Sequence, residues 1–125
     1  LTENEYRRAL HVISENKRTI DAAEALKKGD IRLFGKLMNS SHLSLKDNYM
    51  VTGKELDSLA LNAQKMNCVC GSRMTGAGFG GAVISLVENN SIDMFKTELG
   101  RVYKQECYIS ADFYTVKASD GAGEI

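Results

Sequence analysis

Gly71-Ser72-Arg73-Met74-Thr75-Gly76-Ala77-Gly78-Phe79-Gly80-Gly81 holds five of the 11 glycines of this chain. Glycine gives up packing and costs extra folding entropy, so such a cluster has a reason. Either the backbone bends through positive φ, or a ligand comes very close to the main chain. The flanks decide what the cluster connects. Cys68 to Thr75 is short-period and β-compatible. Ala82 to Val87 is a nearly continuous apolar run, too short for an ordinary helix and suited to a buried strand. The glycines therefore join strand to strand.

Upstream, the pattern is helical. Residues 2–28 open with Thr2 and Glu5 at capping-box spacing and repeat Tyr6, Leu10, Ile13, Ile20, Ala23 and Leu26 near the helical period. Gly29 fits the stop and Asp30 caps a second helix with an apolar face of Ile31, Phe34, Leu37, Met38 and Leu45, ending near Asp47-Asn48. So short a connection makes the two helices antiparallel. A third helix opens on the Thr52 and Glu55 pair, carries Leu56, Leu59, Ala60, Ala63 and Met66 as one stripe, and ends at Asn67. Downstream of the glycines, Ser91 caps a helix bearing Ile92, Phe95, Leu99 and Val102, with Gly100 as a soft spot. Tyr108 to Lys117 returns to β character. Segregated helices with a small antiparallel sheet define an α+β domain.

The totals bound the function. A chain of 125 residues is about one domain with room for a core. Sixteen basic and 16 acidic residues cancel, which removes the bulk electrostatic case for nucleic acid or an anionic membrane. The apolar runs are too short to span a bilayer, and no signal peptide is visible. A start at Leu1 and the absence of proline suggest a piece of something larger. Cys68, Cys70 and Cys107 read as free thiols in a reducing cytoplasm, with Cys68 and Cys70 on one strand face.

Gly76, Gly78, Gly81 and Val83 spell G-x-G-x-x-G-x-V. A dinucleotide fingerprint needs a helix after the glycines, and here a strand follows. A protein-kinase loop lies between strands but needs V-A-I-K, H-R-D and D-F-G partners, and Asp112-Phe113-Tyr114 is only a fragment of the last. Arg73 does not supply a Walker lysine. The physical content survives: glycine-rich peptides let backbone N–H groups converge on an anion. Thr75 and Ser72 add hydroxyls and Arg73 adds charge. A flexible hairpin with a bulge is the competing reading, although a short hairpin needs one or two glycines rather than five.

The string Gly71 to Gly81 resembles the third signature motif of the GHMP kinases, in the form carried by the galactokinase family. Arg8-Ala9-Leu10-His11-Val12-Ile13-Ser14-Glu15 with Arg18-Thr19, Gly35-Lys36-Leu37-Met38-Asn39-Ser40-Ser41-His42, and Ser44-Leu45-Lys46-Asp47-Asn48-Tyr49 are similar to that family too. So are Glu55-Leu56-Asp57 and Asp120-Gly121-Ala122. The resemblance implies that residues 1–125 are the C-terminal domain of a two-domain kinase, ferredoxin-like, with a small antiparallel sheet packed against helices. It implies a cytoplasmic enzyme that transfers the γ-phosphoryl group of ATP to galactose with Mg²⁺. The catalytic residues, metal ligands and serine-rich ATP loop then belong to an N-terminal domain that this sequence does not include. Thr75, Gly76, Ala77, Gly78, Phe79, Gly80 and Gly81 become the ATP and phosphate site, supported by Ser72 and Arg73. Another sugar kinase of the superfamily, for N-acetylgalactosamine or a uronic acid, and a freestanding ferredoxin-like binding module stay open as alternatives.

The remaining candidates read as structural. His11 and His42 are lone helical histidines without an acid at useful spacing. Asp47, Asn48 and Tyr49 form a polar helix end. Arg7-Arg8 and Lys27-Lys28 are solvated faces, and Phe79 packs beneath the loop.

Overall fold

The computed structural model describes residues 2–49, 53–75 and 81–116. Three helices come first: α1 (Glu3–Lys27), α2 (Ile31–Ser44) and α3 (Lys54–Gln64), with a π-helical turn at Leu45–Tyr49 after α2. Strands β1 (Val69–Thr75) and β2 (Ala82–Val87) follow, then a 3-10 turn at Asn89–Ser91 and α4 (Ile92–Cys107). This is the expected α+β arrangement, and β1 and β2 pair antiparallel across residues 76–81.

Local chemistry sets the helix ends. Thr2 Oγ1 accepts from Glu5 N–H at 3.1 Å while Glu5 Oε2 accepts from Thr2 N–H at 3.1 Å, so the capping box is complete. Gly29 takes φ 72° at the break, and Asp30 Oδ1 accepts from Leu33 N–H at 3.1 Å to start α2. The third helix departs from expectation. Its N-cap is Gly53, at φ 127° and without a side-chain cap, while Thr52 lies outside the described residues. It stops at Gln64 because the last turn tightens, with Met66 N–H donating to Ala63 O at 3.0 Å.

Two apolar clusters hold the layers. Ala63, Cys68, Phe95 and Leu99 join α3 to α4, flanked by Leu59, Met66, Val69, Val87 and Phe113. Leu45, Leu56 and Met74, with Val83, pin the far end of β1. Burying Met74 stabilises by about 2 kcal/mol, against about 1 kcal/mol net for one hydrogen bond. Packing therefore anchors the strand, and hydrogen bonds orient it.

Three sequence expectations need correction. The apolar residues of α1 do not face the core: Tyr6, Leu10, Ile13, Ile20 and Leu26 are exposed, and the helix buries His11 and Ala25 instead. Polar partners decide this, because His11 and Glu15 pair with Ser44 and Ser41 of α2, which also makes the helices antiparallel. Strand β2 is not a buried strand, since none of its residues is buried and Ile84 is 52% exposed. Residues 110–116 form no strand. They are held chiefly by Phe113, whose ring meets Phe95 edge-on at 6.2 Å, while Tyr114 and Val116 stay exposed.

Candidate functional site

The glycine cluster begins within β1, at Gly71, and runs through the connection from β1 to β2. There Thr75 and Gly81 flank Gly76 to Gly80, which lie outside the described residues, Phe79 included. What the structure displays is the stem that presents them. Thr75, the last residue of β1, is exposed and stands opposite Ala82.

The stem is held on its free edge by α2. In an antiparallel ladder alternate residues turn their N–H and C=O groups away from the partner strand. Ser72 and Met74 are those residues on β1. Asn39 Oδ1 accepts from Ser72 N–H at 2.8 Å, and His42 Nδ1 accepts from Met74 N–H at 3.1 Å. Asn39 and His42 are three residues apart and so share a helix face. Gln64 of α3 donates to Ser72 O at 2.9 Å. An open strand edge that would otherwise invite foreign pairing is thus closed by side chains.

Inside the ladder, Ser72 stands opposite Ser85, and their hydroxyls meet at 2.7 Å. Non-hydrogen-bonded pairs bring side chains closest, which suits two small hydroxyls. Ser72 is fully buried. It supports the tip through the sheet rather than by turning its hydroxyl outward.

Arg73 points to the other face and into a charged cluster. Its Nε donates to Met74 O at 2.9 Å and its guanidinium lies 3.9 Å from Glu15 Oε2. Glu15 also accepts from Ser41 Oγ at 2.5 Å and pairs with Arg18 at 3.0 Å. Burial works against its charge, yet the Ser41 and Arg18 hydrogen bonds and the charges of Arg18 and Arg73 hold its carboxyl below the usual range. His11 shares a 2.7 Å hydrogen bond with Ser44 Oγ, and burial, partly opposed by Glu15, lowers its pKa. Arg7 is exposed, as expected of a solvated face, and there pairs with Glu3 and donates to Asp47 O at 3.3 Å.

Both shifts have one sign for stability. Glu15 stabilises above its unfolded-state value and loses that contribution as pH falls through its lower folded value. His11 resists protonation when folded, so the unfolded chain gains protons first as pH falls below the ordinary histidine range. Glu15→Gln is expected to cost about 1–3 kcal/mol at neutral pH. Urea unfolding across a pH series should show the gap to wild type closing below the usual glutamate range. A gap constant with pH would reject the charged role.

His42 acquires a partner that its sequence surroundings did not reveal. Its Nε2 lies 2.9 Å from Asp57 Oδ1, and the imidazole is fully buried. The acid comes from α3, beyond any helical spacing from residue 42. Among the described residues no group of three or more His, Cys, Asp or Glu is placed to hold a metal ion. The carboxylates nearest the stem, Glu15 and Asp57, are already engaged by Ser41, Arg18 and His42. They do not fit a Mg²⁺ site. No described helix is long and apolar enough to cross a membrane.

Residues 22–105 match the family described as GHMP kinases C terminal, and the chain belongs to it. The particular relatives are galactokinases. The chain is 52% identical over 122 residues to galactokinase of Clostridium perfringens strain SM101, covering 98% of this chain and 32% of that protein. It is 50% identical to galactokinase of Fusobacterium nucleatum, again covering 98% of this chain and 32% of the relative. The chain thus spans about a third of the length of the curated relatives it matches. Among solved structures, Lactococcus lactis galactokinase complexed with galactose superposes with a TM-score of 0.89 at 48% identity, over 90% of this chain and 29% of that one. The L. major mevalonate kinase in complex with R-mevalonate gives a TM-score of 0.58 at 28% identity, over 73% of this chain and 26% of that one.

Proposed function

We propose that residues 1–125 form the C-terminal domain of a galactokinase. In this reading Thr75 to Gly81 closes over the ATP phosphates and the sugar during phosphorylation of galactose to galactose 1-phosphate. The observation that carries the reading is the likeness to a galactokinase solved with galactose, at 48% identity over 90% of the chain. Phosphoryl transfer depends on positioning and on neutralising charge spread over the phosphate oxygens. Backbone N–H donors at a glycine-rich tip do this without reorganising, provided the stem is rigid. Arg73 and Ser72 act from behind, through Glu15 and Ser85.

The partner domain is the N-terminal part of the same polypeptide, which supplies the catalytic residues and the Mg²⁺ ligands. The exposed apolar residues of α1 and the apolar but unburied β2 support this, since such residues gain by being covered. The full-length enzyme acts in the cytoplasm on ATP and galactose, and this chain alone is inactive.

The test is ADP release by the full-length protein with a panel of galactose, N-acetylgalactosamine, galacturonic acid and glucose. Galactose is expected to give the highest kcat/KM, with no turnover by residues 1–125 alone. Preference for N-acetylgalactosamine or the uronic acid would move the protein to another sugar kinase of the superfamily. No turnover of any sugar would reject the kinase reading.

A further inference from the structure

His42 and Asp57 take no part in the function proposed above, yet a fully buried imidazole and a partly exposed carboxylate pair beside the end of β1. An amide N–H can only donate, so His42 Nδ1 must present its lone pair to Met74, and the ring proton sits on Nε2, facing Asp57. Asp57 thereby fixes the tautomer and the ring plane, as carboxylates do for metal-bound histidines. Here the imidazole holds a backbone amide instead of a metal. Met74 precedes Thr75, the last residue of β1, so the amide being held lies next to the point where the strand delivers the glycines.

The pair reaches no reacting atom. One imidazole nitrogen faces a strand edge, the other a carboxylate on α3, and the ring has no exposed surface. Three elements, α2, α3 and β1, meet at this one side chain. A hydrophobic residue of similar volume would fill the space but would leave Met74 N–H buried without an acceptor, a cost that favours displacement of the strand end. Small shifts of this kind matter where rate depends on placement.

We propose that His42 and Asp57 are positioning residues for phosphoryl transfer, fixing the backbone at Met74 and, through it, the placement of Thr75 at the ATP phosphates. The inference rests on the loop reading proposed above.

The test uses two substitutions in the full-length protein that divide the function of the imidazole. His42→Asn keeps a carbonyl oxygen near the place of Nδ1 and so keeps an acceptor for Met74, but gives up Asp57. His42→Gln reaches toward Asp57 and leaves the Met74 amide without its acceptor. Both lower the melting temperature. Well below those temperatures, kcat with saturating galactose and ATP is expected to fall about tenfold to a hundredfold in His42→Gln and no more than about threefold in His42→Asn.

If the two variants lose activity equally, or in proportion to their loss of melting temperature, His42 is structural only and the inference is overturned. Should His42→Gln not fold, His42→Met replaces it, since it fills the space without an acceptor for Met74 N–H, with the same kcat loss expected and an unchanged kcat overturning the inference. Gly80→Val run beside them separates the two ideas. An inactive Gly80→Val with equal His42 variants removes only the positioning role, whereas an active Gly80→Val removes the loop reading and this inference with it.

Discussion

Gly80→Val in the full-length protein is expected to abolish turnover of ATP and galactose while the domain stays folded. A phosphate held by main-chain N–H groups must come within hydrogen-bond distance of the backbone, and a β-branched side chain stands in that path. Loss of one preorganised donor to a developing anion costs about 10²–10³ in kcat, so disturbing several neighbouring donors should take activity below detection. Folding should survive because the residues that hold the stem lie elsewhere. Met74 is buried with Leu45 and Leu56, and Ser72 and Met74 are tied to Asn39 and His42. The measurement is paired: ADP release, and circular dichroism with thermal melting. Near-normal turnover would reject the loop assignment, and an unfolded variant would show that the tip is part of the core.

How much of this was legible in the sequence depends on how far apart the interacting residues lie. The caps at Thr2, Glu5 and Asp30 were readable because the partners are three residues apart. The stripe on α3 was readable too, since Leu56, Ala60 and Ala63 are all buried. On α1 the same reasoning picked the wrong face. An apolar stripe faces the core only when nothing competes for it, and here His11 and Glu15 find hydroxyl partners on α2 while Tyr6, Ile13 and Ile20 do not. The strand expected near Phe113 failed because β propensity needs an edge to pair with, and this segment has a packed ring instead. In the site, the strand–loop–strand frame around the glycines was plain. The brace beneath it was not: His42 meets Asp57 and Met74 only after three elements pack, and no local spacing records that. Strings resembling a known family marked the candidate site, and long-range hydrogen bonds explain how its stem is held.

Gly35 offers the second large effect, because two established trends oppose each other there. Gly35 lies inside α2, where helix propensity alone says that alanine should stabilise by about 1 kcal/mol. The tertiary structure says the reverse. A Cβ at Gly35 would fall on the carbonyl of Cys70 and within 3.1 Å of Cys70 Cβ. A Cβ at Gly71 would lie 2.6 Å from Gly35 Cα and 2.8 Å from its carbonyl carbon. The obstructing atoms are mostly backbone, so no rotamer change relieves the overlap, and α2 must retreat from β1. Retreat loosens the Asn39 and His42 bonds to the strand edge together. The register bulge between Val69 and Gly71 marks the same point of contact on the strand. Gly35→Ala is therefore expected to cost about 3 kcal/mol or more, a large share of a domain's usual 5–15 kcal/mol, and Gly35→Val to prevent folding. Gly29→Ala is the control: it has open space and only its φ of 72° to oppose it, so about 1–2 kcal/mol is expected. Urea unfolding of the three variants reads the order directly. A Gly35→Ala chain more stable than wild type would mean that propensity wins, and that helix and strand do not meet backbone to backbone.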